Sequence, residues 1–397
     1  MNYHIITQDN FFEAYIEDIY KLHQEDNNKF LVRKTSGNTP WQTKRHVEYL
    51  ENDIAYIISR LQTISHEDKL FVSWYDMFIG QAILDSGITC DIYVFVMGGD
   101  LYAEPFWYHA KWLFDKHTYK YVKKVCDYPN INWKRRPKNW GKVVDEIMNL
   151  VNFESQQKKL FDQKLQMVKR INYIILPNAA EPEYQAICKL YPGANFKYVY
   201  GSFIQNYDTA CTLPTKIFHR GTTINVLIGN SADFTNNYMD AYRWMKNQCK
   251  QKGYRFNVYS VLAYGNQQHR TDVVKKGYEL FGNNFKPITS CMSRAEYIAF
   301  LNTMDVIVMY HNRQQACGNI MTSITLGKPV LMKKQSPIYQ MLLQQGCNSV
   351  YDVTNVSLRT IGEMIESAAV NRSKNMTVVK NIYSEEVRLD NWKHLLS

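Results

Sequence analysis

The stretch Val226-Leu227-Ile228-Gly229-Asn230-Ser231-Ala232-Asp233-Phe234-Thr235-Asn236-Asn237 joins an apolar run, Ile224–Ile228, to a helical pattern that starts near Asn237. The run stops at Gly229 and a polar turn follows. Strand, small-residue turn and helix, in that order, aim free backbone N–H groups at an anion. Gly229 lets a ligand approach the main chain, while Asn230, Ser231 and Asp233 can cap or hydrogen-bond. Taken alone, the segment fits an ordinary turn with a capped helix better than a ligand site.

The same alternation continues downstream. A helix over Tyr238–Lys252 closes at Gly253, and a strand over Arg255–Leu262 ends at Ala263-Tyr264-Gly265-Asn266. His269–Phe281 reads as a helix closed by Gly282, and the capping box of Ser293 and Glu296 starts another that runs to about Thr303. A strand over Asp305–Tyr310 leads into His311-Asn312-Arg313-Gln314-Gln315-Ala316-Cys317-Gly318, a loop opening a helix that ends at Gly327. Pro329–Met332 and Ser349–Val353 read as strands, Pro337–Gln345 and Leu358–Ala369 as helices, and Ser384–Leu396 as an amphipathic tail.

Upstream, strands at Tyr3–Thr7, Phe30–Arg33, Leu70–Trp74, Asp91–Val96, Ile171–Leu176 and Phe196–Tyr200 alternate with helical patterns. Among these are Phe11–Leu22, Asp53–Thr63, the stretch from Asp76 to Gly87, and Glu181–Leu190; Thr35–Pro40 reads as a turn. The class is α/β, with mostly parallel sheets covered on both faces. Ser202–Gly221 holds Pro214 and scattered polar residues, and breaks the rhythm. The expected organisation is a first Rossmann-like domain at 1–205, a linker at 206–221, a second Rossmann-like domain at 222–375, and a closing helix in 376–397 that returns toward the first domain.

The 397 residues allow two domains with sizeable cores, and 45% apolar content fits a globular chain. Lys and Arg outnumber Asp and Glu by 47 to 37, so the surface favours anionic partners. The eight cysteines lie singly, with no Cys-x-x-Cys pair, which speaks against zinc or redox work and fits a reducing compartment. Met1–Asn10 lacks a signal-peptide pattern, and no apolar run approaches the length of a bilayer-spanning helix. A soluble or membrane-surface protein is expected.

Two Rossmann-like domains, a linker and a closing helix resemble the layout of GT-B glycosyltransferases. Ligands in such sheets bind beyond the carboxyl ends of the strands. Gly98–Tyr102, Gly229–Asp233, Tyr264–Asn266 and Arg313–Gly318 are therefore expected around one cleft. Arg313 can clamp a phosphate, Gln314 and Gln315 can donate and accept toward a sugar or base, and Gly318 opens the helix. A solvated loop with a tight helix start is the alternative.

Tyr264 and Gly265 complete the substrate-binding set on this side, and Gly98 and Gly99 leave room for an acceptor. Asp100, just past a strand end, is the candidate general base, with helix N-capping as its alternative role; Asp76 is the runner-up. The helix N-terminus after Gly229 and Arg313 are expected to meet leaving-group charge. No carboxylate or histidine cluster has metal-ligand spacing, so neither a metal nor a cofactor is expected. The Arg313 segment also resembles the donor-sugar motif of GT-B enzymes, ending in Gly327-Lys328-Pro329. Retaining members often carry two glutamates eight positions apart there. This chain has Gln315 and Ser323, with no Asp or Glu between Tyr310 and Leu331, which favours inversion.

Three segments in order resemble the TDP-N-acetylfucosamine:lipid II N-acetylfucosaminyltransferase family: Phe95-Val-Met-Gly-Gly-Asp-Leu-Tyr-Ala-Glu104, Val226-Leu-Ile-Gly-Asn-Ser-Ala-Asp233 and Arg313-Gln-Gln-Ala-Cys-Gly318. The family has Trp-Gly-Ala-Asp-Leu-Tyr, Gly-Asn-Ser-Gly-Asp and Arg-Gln-Gln-x-x-Gly. The resemblance implies a GT-B fold, inverting chemistry, a dTDP-sugar donor such as dTDP-N-acetylfucosamine, and a polyprenyl-diphosphate-linked acceptor at the cytoplasmic face of the inner membrane. Between Glu104 and Ile171 the chain departs from the pattern, being longer and more basic.

Within 107–142, assigned to the first domain, Lys111, Lys116, Lys120, Lys123, Lys124, Lys134, Arg135, Arg136, Lys138 and Lys142 interleave with Trp and Tyr. Basic side chains attract anionic lipid, and Trp and Tyr favour the headgroup zone, so this segment is expected to dock on the inner leaflet. A solvated basic helix is the bland alternative. Two other readings of the whole chain compete: a basic α/β protein binding nucleic acid without catalysis, and a GT-B-like enzyme that processes a nucleotide sugar or uses a UDP- or GDP-sugar.

Overall fold

Short apolar runs become the strands of two parallel sheets in the computed structural model, which describes residues 1–8, 10–33, 46–102, 110–126, 128–129, 140–202, 207–219, 221–249, 254–356 and 360–397. The chain divides into two units. One comprises Met1–Tyr108, Gln156–Gln205 and Ile382–Ser397; the other comprises His109–Ser155 and Asn206–Asn381.

In the first unit β1 (Asn2–Thr7), β2 (Asn28–Arg33), β3 (Val47–Leu50), β4 (Lys69–Ser73), β5 (Asp91–Phe95), β6 (Tyr173–Leu176) and β7 (Lys197–Tyr200) lie in the order β3-β2-β1-β4-β5-β6-β7. In the second, β8 (Thr223–Ile228), β9 (Arg255–Val261), β10 (Phe285–Ile288), β11 (Val306–Met309), β12 (Val330–Met332) and β13 (Val350–Asp352) lie in the order β10-β9-β8-β11-β12-β13. Neighbouring strands pair in parallel throughout. Both orders wind outward from a first strand and then reverse beside it. That is the doubly wound pattern, with ligand crevices at the switch points β1/β4 and β8/β11. The α/β expectation with Rossmann-like units is borne out.

Each unit has its own core. Ile6, Phe12, Tyr15, Phe30, Phe71 and Phe95 fill one, and Val226, Ile228, Tyr238, Tyr242, Val258 and Val308 the other. The last helix, Glu385–Leu396, belongs to the first unit: Trp392 is buried with its ring 4.9 Å from Tyr15 and 5.6 Å from Phe95. Buried Arg388 pairs with buried Asp18 at 2.5 Å.

Among the described residues, the strands β3 and β10 and the short helix Tyr207–Cys211 inside the expected linker escaped the sequence reading. β3 and β10 are four-residue edge strands, and β10 carries Pro287, which only an edge or bulge tolerates. The helix Arg372–Tyr383 precedes the closing helix and runs across the boundary between the units at Asn381 and Ile382.

His109–Ser155 groups with the second unit, where the sequence reading assigned 107–142 to the first. The physical reason is polar: the segment's main chain is tied to the turns of the second sheet, as described below. The stretch read as a linker also clusters with the second unit. Arg372 donates to Thr325 O, Thr215 Oγ1 and Leu213 O, and Lys216 pairs with Asp305 at 2.6 Å. Thr35–Pro40, Gly253, and Trp107, Tyr108, Trp133, Lys134, Arg135, Arg136 and Lys138 of the basic stretch lie outside the described residues.

Candidate functional site

β8 and β11 are neighbours in register, Ile228 beside Val308, so their carboxyl ends deliver Gly229–Asp233 and His311–Gly318 to one edge. β9 flanks β8 and adds Tyr264 and Gly265. The turns are laced together. Gly229 N–H donates to Val308 O, Ala232 N–H to Tyr264 O at 2.7 Å, and Asn266 N–H to Ala232 O at 3.1 Å. Gly265 (φ +112) has the Ala232 main chain where a Cβ would stand, 2.6 Å from its carbonyl carbon. Asn230 donates to the hydroxyl of Tyr264, a residue 57% exposed at this edge.

Gly229 is a glycine for another reason than the sequence suggested. Its φ is +72, and a Cβ would lie 2.3 Å from the hydroxyl of buried Tyr238, which donates to Ser231 O and Val261 O. Its Cβ side is filled by protein and not left for a ligand.

Gln315 also departs from expectation. Its Oε1 accepts from Thr235 Oγ1 at 2.6 Å and its Nε2 donates to Asn230 Oδ1 at 3.1 Å. Both ends tie the β11 loop to the β8 turn, so this amide positions the site. Asp233 likewise accepts from Thr235 N–H and caps the short turn Phe234–Asn236. Gln314 is half-buried and donates to Cys317 Sγ. Ser323, eight residues beyond Gln315, is buried and bonds Asn319 O.

Arg313 is the exception to this closed bookkeeping. It is 6% exposed, and among the described residues its side chain makes one hydrogen bond, from Nη1 to the neighbouring Gln314 carbonyl at 2.9 Å. Its Nε is buried without a partner, and no carboxylate among the described residues pairs with it. Three residues on, Ala316 (φ +59) starts the helix Cys317–Thr325 with no side-chain cap. The first N–H groups of that helix, Gly318 included, therefore point beyond its start with a partial positive charge. A non-glycine residue in the left-handed region costs roughly 1–2 kcal/mol, and such strain gathers at functional turns.

The helix N-terminus expected after Gly229 is occupied by the chain itself. Asn237 (φ +54) stands at the start of the helix Tyr238–Gln248, where its side chain makes no cap bond but accepts from Asp115 N–H at 2.8 Å and donates to Leu113 O at 3.1 Å. Asp240, in the first turn, accepts from the N–H groups of His117 and Thr118. Among the described residues at this edge, the helix start without a side-chain cap or a chain segment laid against it is the one after Ala316. Lys333, buried over the Tyr310 ring, pairs with Asp115 and donates to Asn312 Oδ1, while Asn312 donates to Trp112 O at 2.7 Å. These bonds fasten 112–118 to the second unit.

In the first unit, Gly98 (φ +94) and Gly99 bring Asp100 to the carboxyl edge, past β5. A Cβ on Gly99 would lie 3.0 Å from the Trp74 ring, so here too a glycine accommodates protein. Asp100 is 2% exposed and accepts from Tyr75 N–H at 3.3 Å and Leu101 N–H at 3.0 Å. Burial raises its pKa above the usual carboxylate value, against the attraction of buried Lys164. Asp76 is more open; it caps the helix Met77–Ser86 through Ile79 N–H and pairs with Arg33 at 2.9 Å.

The model of the family described as 4-alpha-L-fucosyltransferase, glycosyl transferase group 56, matches residues 185–397. Solved structures similar to the whole chain include a sucrose-phosphate synthase from Thermosynechococcus elongatus (TM-score 0.59, 9% identity, covering 100% of this chain and 98% of that one). An alpha,alpha-trehalose 6-phosphate synthase from Burkholderia multivorans gives 0.57, 8%, 100% and 96%. A lipopolysaccharide outer core galactosyltransferase gives 0.56, 8%, 99% and 98%. At these identities the structural likeness establishes the GT-B fold.

Proposed function

The chain belongs to the 4-alpha-L-fucosyltransferase, glycosyl transferase group 56, family, and from that premise we propose that it moves a deoxyhexosamine such as N-acetylfucosamine from a dTDP-sugar to a polyprenyl-diphosphate-linked glycan, with inversion. It is a glycosyltransferase, and its family implies a nucleotide-sugar donor and an acceptor. Arg313 carries the proposal for the donor. A buried guanidinium without a carboxylate is costly unless an anion completes it. The uncapped start of Cys317–Thr325 lies three residues away. Together they suit a diphosphate, with exposed Tyr264 at the same edge for the base or sugar.

In this reading an acceptor hydroxyl attacks the anomeric carbon as the bond to the diphosphate breaks. Asp100 takes the hydroxyl proton; burial raises its carboxyl above the usual range, which strengthens it as a base. Arg313 and the helix amides meet the charge left on the nucleoside diphosphate, in the place of a metal. The lack of a carboxylate between Tyr310 and Leu331 and the burial of Ser323 support the inverting reading.

No helix among the described residues is long and apolar enough to cross a membrane. We place the protein peripherally on the cytoplasmic face of the inner membrane, docked on anionic lipid through the basic stretch. Lys116, Lys120 and Lys124 stand exposed along one side of Lys116–Val125. Changing all three to Gln weakens sedimentation with anionic liposomes, as does added salt; binding indifferent to both removes the membrane part of the proposal.

The test of the donor site is thermal stabilisation by dTDP and UDP. Wild type gains several degrees and Arg313→Ala gains none. A wild type indifferent to nucleotides overturns the transferase reading in favour of non-catalytic binding.

A further inference from the structure

His311 plays no part in the donor site as proposed, yet its wiring calls for a ligand. The residue follows β11, and its ring is fully buried. Nδ1 lies 2.9 Å from the main-chain oxygen of Arg313. A carbonyl only accepts, so Nδ1 carries the proton and Nε2 a bare lone pair. Burial, reinforced by Arg313 and Lys333, lowers the ring's pKa to about 3, so it is neutral at physiological pH. Nε2 is buried, and no donor among the described residues reaches it. Asp233, on the neighbouring β8 turn, acts electrostatically on the same ring.

Two residues apart, then, stand a buried acceptor without a donor and a buried cation without an anion. They ask for different parts of a ligand. The diphosphate of a nucleotide sugar has no proton to donate at neutral pH, so it can complete Arg313 but not His311. A sugar hydroxyl or an amide N–H on the sugar can complete His311. We infer that His311 Nε2 accepts a hydrogen bond from a hydroxyl or amide N–H of the donor's sugar, reading the sugar while Arg313 grips the diphosphate. This assignment rests on the donor site proposed above.

The experiment compares nucleoside diphosphates (dTDP, UDP) with nucleotide sugars (dTDP-glucose, UDP-N-acetylglucosamine) by calorimetry on the full chain. In His311→Asn the amide N–H can still reach the Arg313 carbonyl, but no atom stands where Nε2 was. This variant binds the diphosphates as wild type does and loses about three- to tenfold in affinity for the nucleotide sugars, the worth of one hydrogen bond. His311→Phe, which also frees the Arg313 carbonyl, weakens both probes. Should His311→Asn melt well below wild type, His311→Gln, with an oxygen near the Nε2 position, takes its place and must keep the preference for nucleotide sugars.

Unchanged affinity for both probes in His311→Asn overturns the inference and leaves Nε2 to a water. Equal weakening of both overturns it in favour of contact with the base or upkeep of the loop. A wild type that binds neither probe fails earlier, at the donor site, and takes the inference with it.

Discussion

Replacing Asp100 by Asn separates a catalytic carboxylate from one that only holds a turn. The substitution keeps the shape and one oxygen. The other oxygen becomes an NH2 group facing one of the two main-chain donors, Tyr75 N–H or Leu101 N–H. A buried donor left unsatisfied costs about 1–3 kcal/mol. Relief of the buried charge works the other way, since burial raises the Asp100 pKa. The net loss therefore stays below ~3 kcal/mol. Against a usual stability of about 5–15 kcal/mol, at least ~2 kcal/mol remains and over ~95% of molecules stay folded.

Unfolding thus removes only a few per cent of activity, whereas loss of a general base removes roughly two to four powers of ten. The assay is the initial rate at saturating dTDP-sugar and lipid-linked acceptor, beside a melting curve. We expect kcat to fall at least a hundredfold with donor binding intact. The acid limb of the pH profile, where wild type loses rate as Asp100 protonates, disappears. The stability linkage has the matching sign: a raised carboxyl stabilises the fold most at low pH, and that contribution is lost as pH rises through its folded pKa. A kcat within about threefold of wild type refutes the assignment and leaves Asp100 a structural clamp, with Asp76 the next carboxylate to change.

Other perturbations follow from the same contacts. Gly229→Ala forces a left-handed residue against the Tyr238 hydroxyl, at a cost of about 2–5 kcal/mol from strain and overpacking, and lowers the melting temperature by roughly 5–15 °C; melting within a degree of wild type contradicts the packing of the turn. Arg388→Met removes the guanidinium paired with buried Asp18 in the first core and costs about 3–5 kcal/mol in chemical denaturation, while Asp18→Leu with Arg388→Met restores most of it; additive losses argue against a buried pair. His4, His269 and His311 are buried, and burial lowers their pKa values to about 3, 4 and 3. Depressed histidines stabilise above their unfolded pKa of about 6.5 and lose that contribution as pH falls, by up to ~1.4 kcal/mol per pH unit each. Stability should therefore decline from pH 7 to pH 5, and a flat profile would show the rings protonating in place.

Much of the scaffold was legible because its signals are local. Strands of four to six apolar residues, the capping box at Ser293 and Glu296, and glycines ending helices at Gly87 and Gly282 are read within a turn or two of chain. The same locality marked Gly229 and Arg313 as turns at strand ends, and three short segments carried the family resemblance. The edge strands β3 and β10 were not legible, since an edge demands little of its four residues and tolerates Pro287.

What the sequence alone determined is the alternation of strands and helices, and with it the two doubly wound sheets and the edge we propose for the donor. Only the tertiary structure decided who occupies that edge. Gln315 joins Asn230 across 85 positions, Asp115 joins Asn237 across 122, and Asn312 meets Trp112 across 200. No local period encodes partners so distant, because hydrogen bonding is satisfied by whatever donor the fold brings near. For that reason the fold, and not the motif, took Gln315 and the helix after Gly229 for its own use, and left His311 and Arg313 with bonds still to make.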